Sequence, residues 1–316
     1  MIYKTFGKTG LQVSAISLGT WAIGGAGWGH TDEKACQEAV AAMLDAGVNL
    51  VDTAPAYNGG EAEKFLGKIL KGKRDDLVYV TKTGTQYVNG TYIRDNSAKA
   101  VRRQCEESLR YLDTDHIDVY LVHWPDQNVP MEETFTELNR LKEEGKIRNI
   151  GVSNFSLEQI KEASCFSEIA VAQDQYSMVY EKEKEKLYGM HGMGIGTMTY
   201  GSMGAGILSG KYREKPAFDA GDMRTEFYSF FKEPAFTRIQ ELLKQMDEIA
   251  NHHNGVSLSQ IALNWSMSKP YVDTAIVGVR SAAHALENCG AAGWSLTAEE
   301  LKALDDAAEK LQQLMK

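Results

Sequence analysis

Ile117-Asp118-Val119-Tyr120-Leu121-Val122-His123 is an apolar, β-branched run closed by a histidine, and the same arrangement recurs along the chain. Runs of this kind read as strands buried on both faces. Val48-Asn49-Leu50-Val51 ends at Asp52, Leu77-Val78-Tyr79-Val80-Thr81 at Lys82, and Ile150-Gly151-Val152 at Ser153 and Asn154. Ile169-Ala170-Val171-Ala172 leads to Gln173, Ile195-Gly196-Thr197-Met198-Thr199 to Tyr200, and Thr274-Ala275-Ile276-Val277 to Gly278. Val13 to Leu18, ending at Gly19, completes a set of eight. In a closed barrel of parallel strands all these ends meet on one face, the face that carries chemistry.

Between the strands lie helix patterns with start and stop signals. Thr31 or Asp32 caps a helix running to Gly47, following a glycine-rich loop from Trp21 to Gly29. Glu61 to Leu70 is helical, as is a segment from Asn96 or Ser97 through Tyr111. Met131 to Glu144, Ser156 to Ala163, Glu181 to Met190 and Ser257 to Ser268 continue the alternation. A short hairpin turning near Lys8-Thr9-Gly10 opens the chain, and an amphipathic helix from Thr297 to Gln313 closes it. The expected fold is α/β: a closed (β/α)8 barrel with an N-terminal β-hairpin and a C-terminal helix. A length of 316 residues suits one such domain over residues 1–316, since the barrel needs ~250 residues plus insertions. Ser202 to Pro234, rich in glycine, aromatic and charged residues, is a candidate lid.

With 34 basic and 43 acidic residues the net charge is -9, which argues against nucleic acid or an anionic membrane as partner. The N-terminus has no apolar signal segment and no apolar run approaches ~18 residues, so the expected location is cytoplasmic. Cys36, Cys105, Cys165 and Cys289 form no CxxC pair and read as idle reduced thiols. No metal-ligand spacing occurs; adjacent His252-His253 suits a helix surface or end.

Four residues point to a reaction. Asp52 at a strand end would pair with Lys82 one strand later, fixing the ammonium beside Tyr57 in the loop that follows Asp52. A neighbouring ammonium is expected to draw a phenol down from ~10 toward neutrality. Such a tyrosine is a general acid, and His123 could hydrogen-bond a carbonyl oxygen as charge builds on it. The set suits hydride reduction of a carbonyl. No GxGxxG follows a strand, so a Rossmann site is unsupported. Gly206 to Tyr212 is not a P-loop either, because Ala205 and Tyr212 stand at two defining positions. A barrel binds phosphate with the loops after its last two strands, here Ser202 to Tyr212 and Gly278 to His284. Arg280 could meet a phosphate and Ser281 could cap the next helix.

Ordered stretches across the chain resemble the aldo-keto reductases. They are Asp52-Thr53-Ala54-Pro55-Ala56-Tyr57, Val80-Thr81-Lys82-Thr83-Gly84 and Asp118-Val119-Tyr120-Leu121-Val122-His123-Trp124. Lys146-Ile147-Arg148-Asn149-Ile150-Gly151-Val152-Ser153-Asn154-Phe155, Tyr200-Gly201 with Gly206 to Tyr212, and Glu287-Asn288 continue the match. The look is of bacterial, potassium-channel-β-like and stress-protein-like members. The resemblance implies a TIM barrel holding an extended NADP(H), with NAD(H) as alternative, and no metal. It implies Asp52, Tyr57, Lys82 and His123 as catalytic tetrad. Ser153, Asn154 and Gln173 would hold the nicotinamide carboxamide, with Tyr200 stacked on the ring. Gly201, Ser202, Met203, Gly206 and Lys211 would line the pyrophosphate, and Gly278, Arg280, His284, Glu287 and Asn288 the adenosine end. His284 stands where many members carry Arg or Gln, while Arg280 favours the 2′-phosphate. Asn58, Ala62 and Tyr180 also depart from the family pattern.

Trp21, Trp28, Tyr87 and Trp124, with the run Phe227 to Phe231, are candidate walls for an apolar carbonyl or a sugar face. No basic cluster is evident in these loops, which argues against strongly acidic substrates. The expected function is NADP(H)-dependent reduction of aldehydes or ketones. An alcohol or aldose dehydrogenase, or a redox-sensing channel-β-like regulatory subunit, is the alternative. The partner is a small carbonyl substrate, and the chain could be a monomer or a homo-oligomer.

Overall fold

The structure is a computed structural model that describes residues 1–23, 32–218, 222, 224 and 227–315. Trp28 and part of the 202–234 segment lie outside the described residues. A hairpin of β1 (Tyr3–Thr5) and β2 (Gln12–Ser14) opens the chain. Eight parallel strands then close into a barrel: β3 (Ile16–Gly19), β4 (Leu50–Asp52), β5 (Val78–Thr83), β8 (Ile117–Val122), β9 (Ile147–Ser153), β10 (Val171–Gln175), β11 (Gly196–Tyr200) and β12 (Thr274–Gly278). β6 (Thr85–Val88) and β7 (Thr91–Arg94) form a second hairpin after β5. The expected first barrel strand is divided: Val13 and Ser14 belong to the opening hairpin, and the Ser14 hydroxyl donates to the Ile16 carbonyl at 2.6 Å across the break.

Strand alternation explains how the barrel acquires a reactive end. Leu50, Val80, Val119, Leu121, Val171, Met198 and Ile276 share one buried cluster with Phe6 of the opening hairpin, while Val51, Tyr120, Val122 and Val277 pack outward against helices. Side chains two apart on a strand share a face. Moving two residues on from Leu50, Val80, Leu121, Val171, Met198 and Ile276 reaches Asp52, Lys82, His123, Gln173, Tyr200 and Gly278. One end of the barrel is thus filled by apolar side chains and the hairpin's Phe6. The layer above is polar.

The helices cover the outside as the capping signals require. Asp32 accepts from the backbone of Lys34 and Ala35 to start Glu33–Asp45. Ser97 caps Ala98–Leu112, Ser257 caps Leu258–Met267 and Ser281 caps Ala282–Gly290. Capping boxes begin Leu157–Ala163 and Ala298–Leu314. The charged segment expected from Glu181 forms its helix later, over Lys184–Gly192, since the buried Glu181 is engaged by Tyr176 and Lys184. Ala235–His252, with Phe236, Ile239, Leu242, Leu243 and Met246 buried, has no counterpart in the sequence expectations; it ends at His253, in keeping with the reading of that pair. Leu304, Ala308 and Leu311 form the buried face of the amphipathic last helix. Among the described residues no helix is long and apolar enough to cross a membrane.

Candidate active site

Lys82 is fully buried and Asp52 is 3% exposed. The Lys82 ammonium donates to Asp52 Oδ1 at 2.8 Å, to the Thr53 carbonyl at 2.9 Å and to the Tyr57 hydroxyl oxygen at 3.1 Å. An ammonium has three protons, and each here has an acceptor. Because the phenol oxygen accepts from Lys82, its own proton points elsewhere. Tyr57 is held by a turn in which its N–H donates to the Ala54 carbonyl at 3.0 Å. The next residue, Asn58, has φ 52, a left-handed conformation that asparagine tolerates better than most side chains. This gives a physical reason for asparagine at a position that departs from the family pattern.

His123 lies edge-on to Tyr57, with ring centroids 6.2 Å apart. Its carbonyl accepts from Asn154 Nδ2 at 3.1 Å. Burial holds the His123 imidazole well below its ordinary pKa, assisted by the charges of Lys82 and Arg94, so it is neutral near pH 7. Burial also lowers Lys82, opposed by Asp52. The expectation for Tyr57 is overturned: burial, reinforced by the Asp52 carboxylate, pushes the phenol well above its ordinary value. Tyr57 therefore keeps its proton near neutral pH.

Around this group opens a cavity of about 680 Å³. Asp52, Tyr57 and His123 line it, and Lys82 sits behind them. Every residue expected to hold the cofactor lines the same cavity: Ser153, Asn154, Gln173 and Tyr200 near the tetrad, then Gly201, Ser202, Met203, Gly206 and Lys211, then Gly278, Arg280, His284, Glu287 and Asn288. Asn154, at φ 62, donates to the Ser153 hydroxyl at 2.9 Å and accepts from the Tyr200 hydroxyl at 2.9 Å. Gln173 adds a link the sequence did not suggest. Its Nε2 donates to Asp52 Oδ1 at 2.7 Å, which ties it to the tetrad and leaves its oxygen to accept from a carboxamide. Beyond Tyr200 the backbone at Gly204, Ala205 and Gly206 has φ 54, 54 and 92. A Cβ on Gly204 would lie 2.6 Å from Val179 Cγ2, so glycine is required there. Lys211, Arg280 and the start of Ala282–Gly290 bring positive charge to this end.

The mouth beyond the tetrad departs from expectation in part. Trp21 and Trp124 line the cavity, and Trp21 stacks on Tyr57 at 6.1 Å between centroids. Phe227 and Tyr228 of the aromatic run also line it. Tyr87 does not; its ring packs at 4.9 Å against Tyr92, and Tyr92 reaches the cavity with Arg94. Arg224 is a further lining residue that sequence reading missed, its guanidinium engaged by Asp222 and the Tyr212 hydroxyl. A signal for the hairpin exists in the sequence. Asn89-Gly90, at φ 50 and 83, is the residue pair most favoured in a two-residue hairpin turn.

With this geometry established, comparison with known proteins gives the class. The Aldo/keto reductase family matches residues 15–309, and the chain belongs to that family of oxidoreductases. It is 38% identical over 313 residues to the aldo-keto reductase YhdN of Bacillus subtilis, covering 98% of this chain and 94% of that one. An NADH-specific methylglyoxal reductase of Escherichia coli is 29% identical over 323 residues, covering 97% and 98% of the two chains. Among solved structures, a glycerol dehydrogenase from Gluconobacter oxydans superposes with a TM-score of 0.86 at 32% identity, covering 95% and 93%.

Proposed function

We propose that this protein reduces aldehydes or ketones to alcohols with NADPH, Tyr57 acting as general acid. The observation that carries this is the buried Asp52–Lys82–Tyr57 chain opening beside a neutral His123. The cavity fits the cofactor by its donor set: amide and hydroxyl groups beside the tetrad, an aromatic ring at Tyr200, and cationic residues with a helix start at the far end. When bound, the nicotinamide supplies the hydride. Ser153, Asn154 and Gln173 would orient its carboxamide and Tyr200 would flank the ring. Arg280 supports NADPH over NADH, since an adenosine 2′-phosphate places a double negative charge where a guanidinium can meet it.

The protein's own groups then handle the oxygen. A neutral His123 donates a hydrogen bond to the carbonyl oxygen and polarises it without giving up a proton. Tyr57, whose oxygen already accepts from Lys82, delivers its proton as charge develops on the substrate oxygen. The phenolate left behind stays against the Lys82 ammonium, so the high pKa enforced by burial is offset when it matters. In the opposite direction the same groups take a proton from an alcohol, as a dehydrogenase requires.

The test is loss of NADPH absorbance, then NADH, against a panel of neutral aldehydes, for the wild type and Tyr57→Phe. The variant should lose roughly 100- to 10,000-fold in kcat while still binding NADPH. Undiminished turnover in Tyr57→Phe would remove Tyr57 from the mechanism. Faster turnover with NADH would reverse the cofactor assignment.

A further inference from the structure

The substrate side of the cavity carries a positive charge that the mechanism above leaves unused. Arg94 ends β7 and lines the cavity together with Tyr92. The two stand two residues apart on a strand, hence on one face of the hairpin. The guanidinium lies 5.1 Å from the centroid of the Trp124 ring. Among the described residues no carboxylate pairs with it, whereas Arg224, which also lines the cavity, is bound by Asp222. The Arg94 charge also acts on His123, the group facing the reacting oxygen. Stacking on Trp124 orients the planar fork, and an oriented guanidinium suits two-point binding of a carboxylate or phosphate.

We propose that the physiological carbonyl substrate bears an anionic group, a carboxylate or a phosphate, which Arg94 binds against the face of Trp124. This rests on the reductase reading and narrows it to a substrate class. It reverses the sequence-based expectation against acidic substrates, because the cation arrives on a hairpin rather than in a basic cluster. Tyr92 and the Trp21 ring that contacts it offer an aromatic wall for the carbon chain between carbonyl and anion.

The experiment compares matched substrates in the full-length protein with saturating NADPH. Succinic semialdehyde is set against butyraldehyde, and glyceraldehyde 3-phosphate against glyceraldehyde, for the wild type, Arg94→Ala and Arg94→Lys. In the wild type at least one anionic member should show the higher kcat/KM, and which one identifies carboxylate or phosphate. Arg94→Ala should lower kcat/KM on that substrate roughly ten- to a hundredfold and leave its neutral partner within about twofold. Arg94→Lys should recover part of the loss, and added salt should shrink the preference. No anionic preference in the wild type, or an equal loss on both members of a pair, would overturn the proposal while leaving the reductase reading standing. Absence of turnover on all four aldehydes, with either nicotinamide cofactor, would instead sink the reductase reading and this inference with it.

Discussion

The floor and the mouth of the cavity are built on different principles. The floor is set by strand ends: Asp52, Lys82, His123, Gln173 and Tyr200 each occupy the inward position above an apolar layer, and the barrel's closure alone brings them together. The mouth is set by excursions: Tyr92 and Arg94 ride on a hairpin inserted after β5, and Phe227 and Tyr228 on the long connection after β11. Machinery common to a reaction can rest on the rigid floor. Selectivity can change at the mouth without disturbing it.

The largest effect that tests this contrast concerns the floor's rigidity. Replacing Lys82 by Met leaves Asp52 buried with, among the described residues, Gln173 as its remaining side-chain donor. Removing one member of a buried ion pair typically destabilises by about 3–5 kcal/mol. Urea unfolding of Lys82→Met should show that loss, and the double variant Asp52→Asn with Lys82→Met should recover much of it. A midpoint shift worth less than about 1 kcal/mol would show that the pair contributes no more than a surface one, and the contrast with the mouth would fail.

The same division governs what could be read in advance. Asp52, Lys82 and His123 were legible because strand alternation and closure are consequences of a short-range pattern. Tyr87 was misjudged and Tyr92 and Arg94 were overlooked because β6 and β7 are short and β7 is exposed throughout, with no sustained apolar period to mark them. The Asn89-Gly90 pair was the available signal. The Ala235–His252 helix carried a readable period in Phe236, Ile239, Leu242, Leu243 and Met246. The direction of the Tyr57 shift was beyond any pattern in the sequence. Proximity to Lys82 can be read from spacing, but desolvation is a property of the finished packing, and here it prevails.

A second test lies just outside the barrel wall, on the helix Glu61–Ile69. Glu63 is fully buried, and its Oε1 accepts from the Thr81 hydroxyl at 2.7 Å. Burial raises its carboxyl from an ordinary 4.5 to about 7, against the opposing influence of Thr81, Ser108 and Lys82, while Glu107 adds to the rise. The fold favours the protonated form. Its contribution is therefore complete below the unfolded-state value of 4.5 and is lost as pH rises through about 7. Glu63→Gln stays neutral throughout. It should match the wild type at acid pH and exceed it above neutrality by about 3 kcal/mol, measured as urea midpoints across pH. Equal pH profiles for the two proteins would show that Glu63 is ionised at little cost beside Lys82.

The smallest effect belongs to the mouth and isolates the hairpin. Gly90 has φ 83, and a Cβ there would meet nothing within 4 Å. Gly90→Ala therefore strains the backbone, by about 1 kcal/mol, without causing a clash. Because the hairpin hangs off the barrel, that strain should loosen β6 and β7 and lower global stability by no more than the same amount. Hydrogen exchange at Tyr92 and Arg94 should quicken. If the mouth acts in binding rather than in the chemical step, KM for the preferred substrate should rise a few-fold, roughly what a loss of about 1 kcal/mol allows, with kcat unchanged. A fall in kcat at constant KM would instead mean that the hairpin helps to position Tyr57 or His123. Floor and mouth would then be one mechanical unit, with selectivity and chemistry no longer separable in this barrel.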